Sequence, residues 1–246
     1  MKFKKKTNNG NVDADSPFYE LIQEAYRVFK QSPTEHGVCE CCMYPEIRKD
    51  FFNHGQADIP LSYINDWFFA AADIPLNKDK WRFVLPRILE VLASGEEPSS
   101  SIGIEVSLSR FAIGDKKNWS EQEWAILDKF QRLSFTHFET VYDDCLDDIV
   151  CMFSIGGWPT ESLFDQLYKL PIEKLVNYLW RDWCSYPNPN IWITPFWDNE
   201  SIPWQFYTSD KLLDKITEYA LNSKTSPELS EKAMAISDLI NSKLSV

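Results

Sequence analysis

Glycine is scarce in this chain of 246 residues, which contains eight glycines and neither a GxGxxG nor a GxxxxGK[ST] motif. Both motifs place glycine where the backbone approaches a phosphate closely, so their absence argues against a Gly-rich phosphate loop. So few glycines also argue against a β-sandwich with many tight turns. There are only three histidines, and no serine or cysteine lies in a recognisable nucleophile turn. Acid–base and nucleophilic catalysis have few candidate groups, and the sequence predicts a protein that is not an enzyme.

Long apolar runs are also missing, since no stretch reaches the roughly 18 residues of a membrane span. The lysines at residues 2–6 are not followed by the apolar segment of a secretory signal. We therefore expect a cytoplasmic protein, in which the six cysteines are thiols rather than disulfides. The expected organisation is a flexible, basic-tipped tail over residues 1–15 and a single helical domain over residues 16–246.

Basic residues are absent from one long stretch of this acidic chain, whose net charge is −12. No lysine or arginine occurs between Arg132 and Lys169. The acidic residues of that stretch are Glu139, Asp143, Asp144, Asp147, Asp148, Glu161 and Asp165. A surface of one sign repels nucleic acid and anionic membranes and attracts cationic proteins. We expect a basic protein partner that contacts these residues, and neither nucleic acid nor membrane.

The string DDCLDD at residues 143–148 admits three interpretations. A DDxxD string on a helix can hold Mg²⁺ on a diphosphate, as in class I terpene synthases, but no second metal motif accompanies this one. A solvated helix start is simpler, because the helix dipole favours each carboxylate there by about 0.3–1 kcal/mol. On a helix, however, Asp143/Asp147 and Asp144/Asp148 would be like-charge pairs, each unfavourable by about 0.2–0.5 kcal/mol. That cost fits recognition of a cationic partner, and both of the last two interpretations stay open.

A second cluster combines His36, Cys39, Cys41 and Cys42. Thiolates and imidazole are the ligands of tetrahedral Zn²⁺, and the cytosol favours metal over disulfide. The spacing nevertheless differs from the paired Cys-x₂₋₄-Cys elements of structural zinc sites. We therefore expect reactive or structural thiols here, with zinc as the alternative, and no cofactor anywhere in the chain.

Tryptophan and proline are concentrated between residues 180 and 204. The tryptophans are Trp180, Trp183, Trp192, Trp197 and Trp204. If the segment is exposed, it forms a surface rich in the residues that dominate interface energetics, with Trp192 and Trp197 as contacts for the partner. If it is buried, it is an extended segment that plugs a helical array. The spacing of the tryptophans favours burial.

Helix caps and apolar stripes at helical spacing recur along the chain, whereas strand-like alternation is restricted to residues 102–108 and 191–194. The strongest cap is the capping box Ser120-Glu121-Gln122-Glu123. The predicted helices cover about 16–29, 61–71, 78–93, 120–141, 144–154, 160–169, 171–184, 209–222 and 226–244. The sequence thus predicts an all-α, multi-helix array, loosely HEAT-like, with an irregular Trp/Pro-rich segment near residues 185–207.

Several strings resemble a set of uncharacterised bacterial proteins. These are Trp81–Glu90, Glu105–Phe111, Trp119 and Glu123–Asp128. With the cysteine-rich turn at 39–42, the resemblance covers roughly residues 36–135 and assigns no role to an individual residue. Small acidic proteins of this sort look like immunity proteins of contact-dependent growth inhibition and related polymorphic toxin systems. The resemblance implies a protein that neutralises a toxin domain, often a basic nuclease, inside the cell that makes it.

Charge complementarity leads to the same hypothesis independently. A nuclease active site is lined with lysine and arginine, so an acidic inhibitor that occludes it gains association rate and specificity. We expect an immunity (antitoxin) protein that occludes the active site of a basic toxin domain. A helical adaptor or chaperone for another client is the alternative. A metal-dependent enzyme that uses the cluster at residues 143–148 is a third hypothesis.

Overall fold

The computed structural model describes residues 8–32, 43–70, 78–99, 102–109 and 111–244. Within these ranges the chain is helical and forms no strand, which confirms the predicted all-α, multi-helix fold. The α-helices are α1 (Tyr19–Val28), α2 (Pro45–Phe51), α3 (Leu61–Ala70), α4 (Lys78–Ala93), α5 (Glu121–Thr136), α6 (Phe138–Val141), α7 (Leu146–Ile155), α8 (Thr160–Lys169), α9 (Ile172–Trp183), α10 (Ser201–Tyr207), α11 (Asp210–Leu221) and α12 (Pro227–Leu244). Among the described residues, no helix has the length and apolar character needed to cross a membrane.

The contacts between Cα atoms divide the chain into two compact units, whereas the sequence indicated one domain over residues 16–246. The first unit contains the described part of residues 1–143 together with residues 152–158, and α1 packs there against α4 and α5. The second unit contains residues 144–151 and the described part of residues 159–246, and α12 packs there against α9 and α11. The chain changes unit at three places: between residues 143 and 144, between residues 151 and 152 within α7, and between residues 158 and 159.

A buried arginine fastens the N-terminal part of the first unit. Arg87 of α4 is fully buried, and its guanidinium donates to the carbonyl oxygens of Ile59 at 2.8 Å and Gly10 at 2.9 Å. It also donates to the Glu90 carboxylate at 2.8 Å. The tail indicated over residues 1–15 therefore has structural contacts at Gly10, because a buried guanidinium needs acceptors for its N–H groups.

Glu90 is the second member of this buried network. Its carboxylate accepts a hydrogen bond of 2.5 Å from the Tyr26 hydroxyl and one of 3.4 Å from the Val12 backbone N–H. Burial raises the pKa of Tyr26 far above its ordinary value, and the negative charge of Glu90 raises it further. The phenol therefore stays protonated and acts as a donor. A buried carboxylate is tolerated here because Arg87 and two hydrogen-bond donors compensate its charge.

The capping box predicted for α5 is confirmed. Ser120 Oγ accepts from the Glu123 backbone N–H at 3.3 Å, and the Glu123 carboxylate accepts from the Ser120 backbone N–H at 2.9 Å. Arg82 of α4 donates to the same carboxylate at 2.6 Å. Burial alone would raise the pKa of Glu123, but the hydrogen bonds from Ser120 and Arg82 outweigh it and lower this pKa.

Two predicted helix boundaries in the first unit were wrong. α1 begins at Tyr19 rather than Ser16, and α5 ends at Thr136, where His137 leaves the helical conformation. Residues 102–108, one of the two stretches with strand-like alternation, contain a 3₁₀ helix at Ile104–Leu108, in agreement with the predicted all-α fold. Short apolar alternation is a weak signal, because tertiary packing decides the conformation of so few residues.

Candidate functional site

Two side-chain carboxylates accept hydrogen bonds from backbone N–H groups at the start of α7, in the second unit. The Cys145 backbone N–H, just before the helix, donates to Asp148 Oδ2 at 2.9 Å. The Leu146 backbone N–H donates to Asp182 Oδ2 at 2.7 Å. The first N–H groups of a helix have no acceptor within the helix, so these oxygens stabilise its start. Asp148 belongs to α7 itself, whereas Asp182 belongs to α9.

Asp147 fastens the irregular residues between α9 and α10, which we call the tryptophan segment (residues 184–200). Asp147 Oδ2 accepts from the Thr194 backbone N–H at 2.8 Å and from the Trp197 indole Nε1–H at 2.9 Å. Hydrogen bonds to a charged acceptor are stronger than those between neutral groups. A single buried carboxylate oxygen therefore holds both the backbone and a side chain of this segment.

Asp148 holds a second point of the tryptophan segment. Its Oδ1 accepts a hydrogen bond from the Trp192 indole Nε1–H at 2.8 Å, and its Oδ2 accepts the Cys145 backbone N–H. Trp192 itself is 45% exposed. The contact thus orients an indole ring whose faces remain accessible to solvent.

The prediction that Asp147 and Trp197 contact a partner was wrong, because they are only 2% and 8% exposed. Asp147 is buried because the N–H groups of the tryptophan segment replace its hydration. The predicted like-charge pairs on a helix were also wrong. α7 begins at Leu146, so Asp143 and Asp144 precede it and only the other two aspartates lie on the helix.

The remaining predicted partner residues differ in exposure and in unit. The exposed residues are Glu139, Asp143, Glu161, Asp165 and Trp192, and the partly buried ones are Asp144 and Asp148. Glu139 and Asp143 belong to the first unit, and the others belong to the second. The structure therefore brings the tryptophan segment together with Asp147 and Asp148, which sequence reasoning had treated as separate features.

An aromatic cluster packs against Trp197 of the tryptophan segment. Phe164 of α8 stacks on Trp197, with ring centroids 6.1 Å apart, and on Phe206, with centroids 4.3 Å apart. Glu161 and Asp165 are exposed on the same helix. The i,i+4 spacing of these two carboxylates places them on one helical face, so α8 packs its aromatic residue inward and presents negative charge to solvent.

The irregular segment is shorter than predicted, because residues 201–207 form α10. Pro203 lies in the first turn of α10, where the backbone N–H that proline lacks would have had no helical acceptor. The proline that suggested irregular structure is therefore compatible with a helix. Trp204 of α10 is 38% exposed.

A cavity of about 370 Å³ lies in the second unit beside the tryptophan segment. It is lined by Cys145, Asp182, Trp183, Tyr186, Asn188, Asn190 and Trp192. Tyr186 is 63% exposed and Trp192 45% exposed, so two of the aromatic rings are open to solvent. The volume falls within the roughly 300–1,000 Å³ of small-ligand sites.

The carboxylate of the cavity is paired with a guanidinium. Arg181 Nε donates to Asp182 Oδ1 at 2.7 Å, and Arg181 Nη2 donates to the carbonyl oxygen of Asp144. Burial raises the pKa of Asp182, although the charge of Arg181 and the Leu146 N–H oppose this effect. The pair gives the cavity a polar wall that is nearly neutral.

The two thiols of this region are poorly suited to nucleophilic chemistry. Burial, with the negative charges of Asp182 and Asp148, raises the pKa of Cys145 to about 12. Burial raises the pKa of Cys184 to about 11. Both groups are therefore protonated at neutral pH, whereas the thiolate is the reactive form. The lining offers aromatic faces, amides and a carboxylate that is paired with Arg181.

Sequence reasoning missed most of the cavity. Asp182 was hidden within the amphipathic pattern of α9, and Cys145 was counted only among the six expected thiols. The string Pro187-Asn188-Pro189-Asn190 was a signal, because alternating proline and asparagine favour a turn that can present side chains. The proposed metal ligands His36, Cys39, Cys41 and Cys42 lie outside the described residues. Within the described ranges, no three His, Cys, Asp or Glu side chains are grouped for metal binding.

No known protein family, curated protein or solved structure matches this chain. Its function is therefore inferred from the residues and geometry described above.

Proposed function

We propose that this protein is an immunity (antitoxin) protein, which binds a basic toxin domain and occludes its active site. The observation that carries the proposal is the presentation of exposed aromatic rings by a tryptophan segment fixed at Asp147 and Asp148. Tyrosine and tryptophan dominate the energetics of protein interfaces. A segment that is ordered before binding loses less conformational entropy when the partner arrives.

The charge around this surface favours a cationic partner. Residues 182–210 contain four acidic residues and no lysine or arginine. Asp198 and Glu200 are exposed there, as are Glu161 and Asp165 on α8. Complementary charge increases the association rate and disfavours wrong partners. A toxin nuclease, whose active site must attract phosphates, has the opposite charge.

An adaptor or chaperone for several clients is the alternative function. Surfaces that accept many partners are typically flexible, or rich in methionine that repacks around each client. The tryptophan segment differs because three hydrogen bonds from Thr194, Trp197 and Trp192 reach two carboxylates. This arrangement favours one cognate partner.

The test first asks whether a gene for a basic toxin domain lies next to the gene of this protein, and then measures the association rate with that toxin domain against ionic strength. In Glu161→Lys/Asp165→Lys, we expect slower association and a smaller salt dependence, with weaker protection of cells that express the toxin. The matched control is Asp214→Lys/Glu218→Lys, which makes the same charge change at the same i,i+4 spacing on exposed positions of α11. Equal rates and salt slopes for both variants and the wild type would count against the acidic surface. Absence of both binding and protection would refute the proposed function.

A further inference from the structure

We infer that the cavity beside the tryptophan segment receives one arginine side chain of the basic partner. This inference rests on the proposed function, because it names the group by which that partner is recognised. Trp183, Tyr186 and Trp192 supply aromatic walls, and Asn188 and Asn190 supply amide groups. All of these residues belong to the second unit.

The aromatic walls are suited to a cation. The face of an aromatic ring attracts a guanidinium or ammonium group through the ring quadrupole, and tryptophan does so most strongly. The Trp192 indole N–H donates to the Asp148 carboxylate at 2.8 Å. This contact fixes the ring, and the adjacent negative charge increases the electron density on its faces. The exposed indole is therefore an oriented acceptor for a cation.

The charges near the cavity do not oppose an incoming cation. None of the seven lining residues is lysine or arginine. Arg181 lies close by, but its guanidinium is engaged by Asp182 at 2.7 Å and by the carbonyl oxygen of Asp144. Asp148 contributes a further carboxylate, which accepts the Trp192 indole N–H. The lining therefore carries no cationic side chain that would repel the partner's arginine.

Arginine fits this lining better than lysine. Its planar guanidinium stacks on aromatic rings and is more weakly hydrated than an ammonium group, so less hydration is lost on entry. Its five N–H donors can reach the side-chain oxygens of Asn188 and Asn190, which accept hydrogen bonds.

The first experiment titrates the full-length protein with N-acetyl-arginine methylamide, followed by the NMR signals of the tryptophan indole N–H groups. We expect saturable binding that shifts the Trp192 indole signal. The lysine analogue should bind more weakly, and the neutral citrulline analogue about tenfold more weakly than arginine. Equal affinity for arginine and citrulline, or an unperturbed Trp192 signal, would overturn the inference.

Two variants that each remove an exposed aromatic ring separate the cavity from the rest of the surface. Tyr186→Leu changes a lining residue, whereas Trp204→Leu changes an exposed ring that does not line the cavity. Circular dichroism verifies that both variants fold. We expect Tyr186→Leu to weaken arginine binding about tenfold and Trp204→Leu to leave it unchanged. Equal effects of the two substitutions would contradict a specific site.

A double-mutant cycle in the complex distinguishes this inference from the proposed function. Each partner arginine is replaced by alanine and combined with Tyr186→Leu. One arginine whose effect on Kd shrinks about fivefold or more in the Tyr186→Leu background supports the inference. Purely additive effects for every arginine overturn it while leaving the toxin complex intact. A third outcome is that the free arginine probe binds but no basic protein forms a complex. That result would refute the proposed function, and it would also refute the inference that the cavity receives a side chain of a protein partner.

Discussion

The indole N–H of Trp197 donates a hydrogen bond of 2.9 Å to Asp147, which lies 50 positions earlier in the chain. The same oxygen accepts the Thr194 backbone N–H at 2.8 Å. An aspartate from the most acidic part of the sequence is thus an internal acceptor. Its neighbour Asp148 uses the same chemistry to hold an indole whose faces stay exposed. Asp147 therefore fixes buried residues of the tryptophan segment, whereas Asp148 fixes the exposed Trp192.

Asp147→Ala tests the internal role of this carboxylate. The substitution leaves the Thr194 and Trp197 N–H groups buried without their acceptor, so we expect the free energy of unfolding to fall by about 2–4 kcal/mol. Asp143→Ala, at an exposed position, should change it by less than about 0.5 kcal/mol. Urea unfolding followed by circular dichroism measures both. The same midpoint for the two variants would show that Asp147 does not hold the segment.

Glu123→Gln tests the lowered pKa of the capping carboxylate. A carboxylate whose pKa is lower in the folded protein stabilises the fold above its unfolded pKa, and this contribution is lost as pH falls through the folded pKa. We therefore expect wild-type stability to decrease below the ordinary glutamate value of about pH 4.3, and Glu123→Gln to show a smaller decrease. Urea midpoints across this acid range provide the measurement. Glu121→Gln, exposed in the same turn, controls for the loss of one negative charge.

Arg87→Met tests the buried network of the first unit. Removing the guanidinium leaves the Glu90 carboxylate buried without its cation, which should lower the free energy of unfolding by about 3–5 kcal/mol. Arg87→Met/Glu90→Gln should cost less than the sum of its single substitutions, because it leaves no isolated charge. The comparison is Arg132→Met, which breaks an exposed pair with Asp128 at 2.8 Å and should cost about 0–1 kcal/mol. Similar losses at the two arginines would argue against the buried network.

The predictions succeeded where the signal was local. The capping box at Ser120 and Glu123 was read correctly because both of its hydrogen bonds join residues three positions apart. The all-α fold followed from repeated caps and apolar stripes. Local signals were insufficient where contacts with distant residues decide the outcome, as for the end of α5 at Thr136 and the division of the chain into two compact units.

The candidate site was predicted only in part for the same reason. Trp192 was identified as a partner contact and is exposed, but its orientation depends on Asp148, 44 positions away. Tyr186, Asn188 and Asn190 carry no signal of their own beyond a turn. They line a cavity only because the end of α9 and the start of α7 are brought beside them.

The sequence by itself determined the helical class, the capped start of α5 and the stretches without basic residues, since these depend on near neighbours or on composition. Tertiary structure alone decided which acidic residues face water. Asp143 is exposed and Asp147 is buried, although the same residue type lies four positions apart. The difference arises because two N–H donors from the tryptophan segment replace water at Asp147. A carboxylate can leave solvent only where the fold supplies such donors.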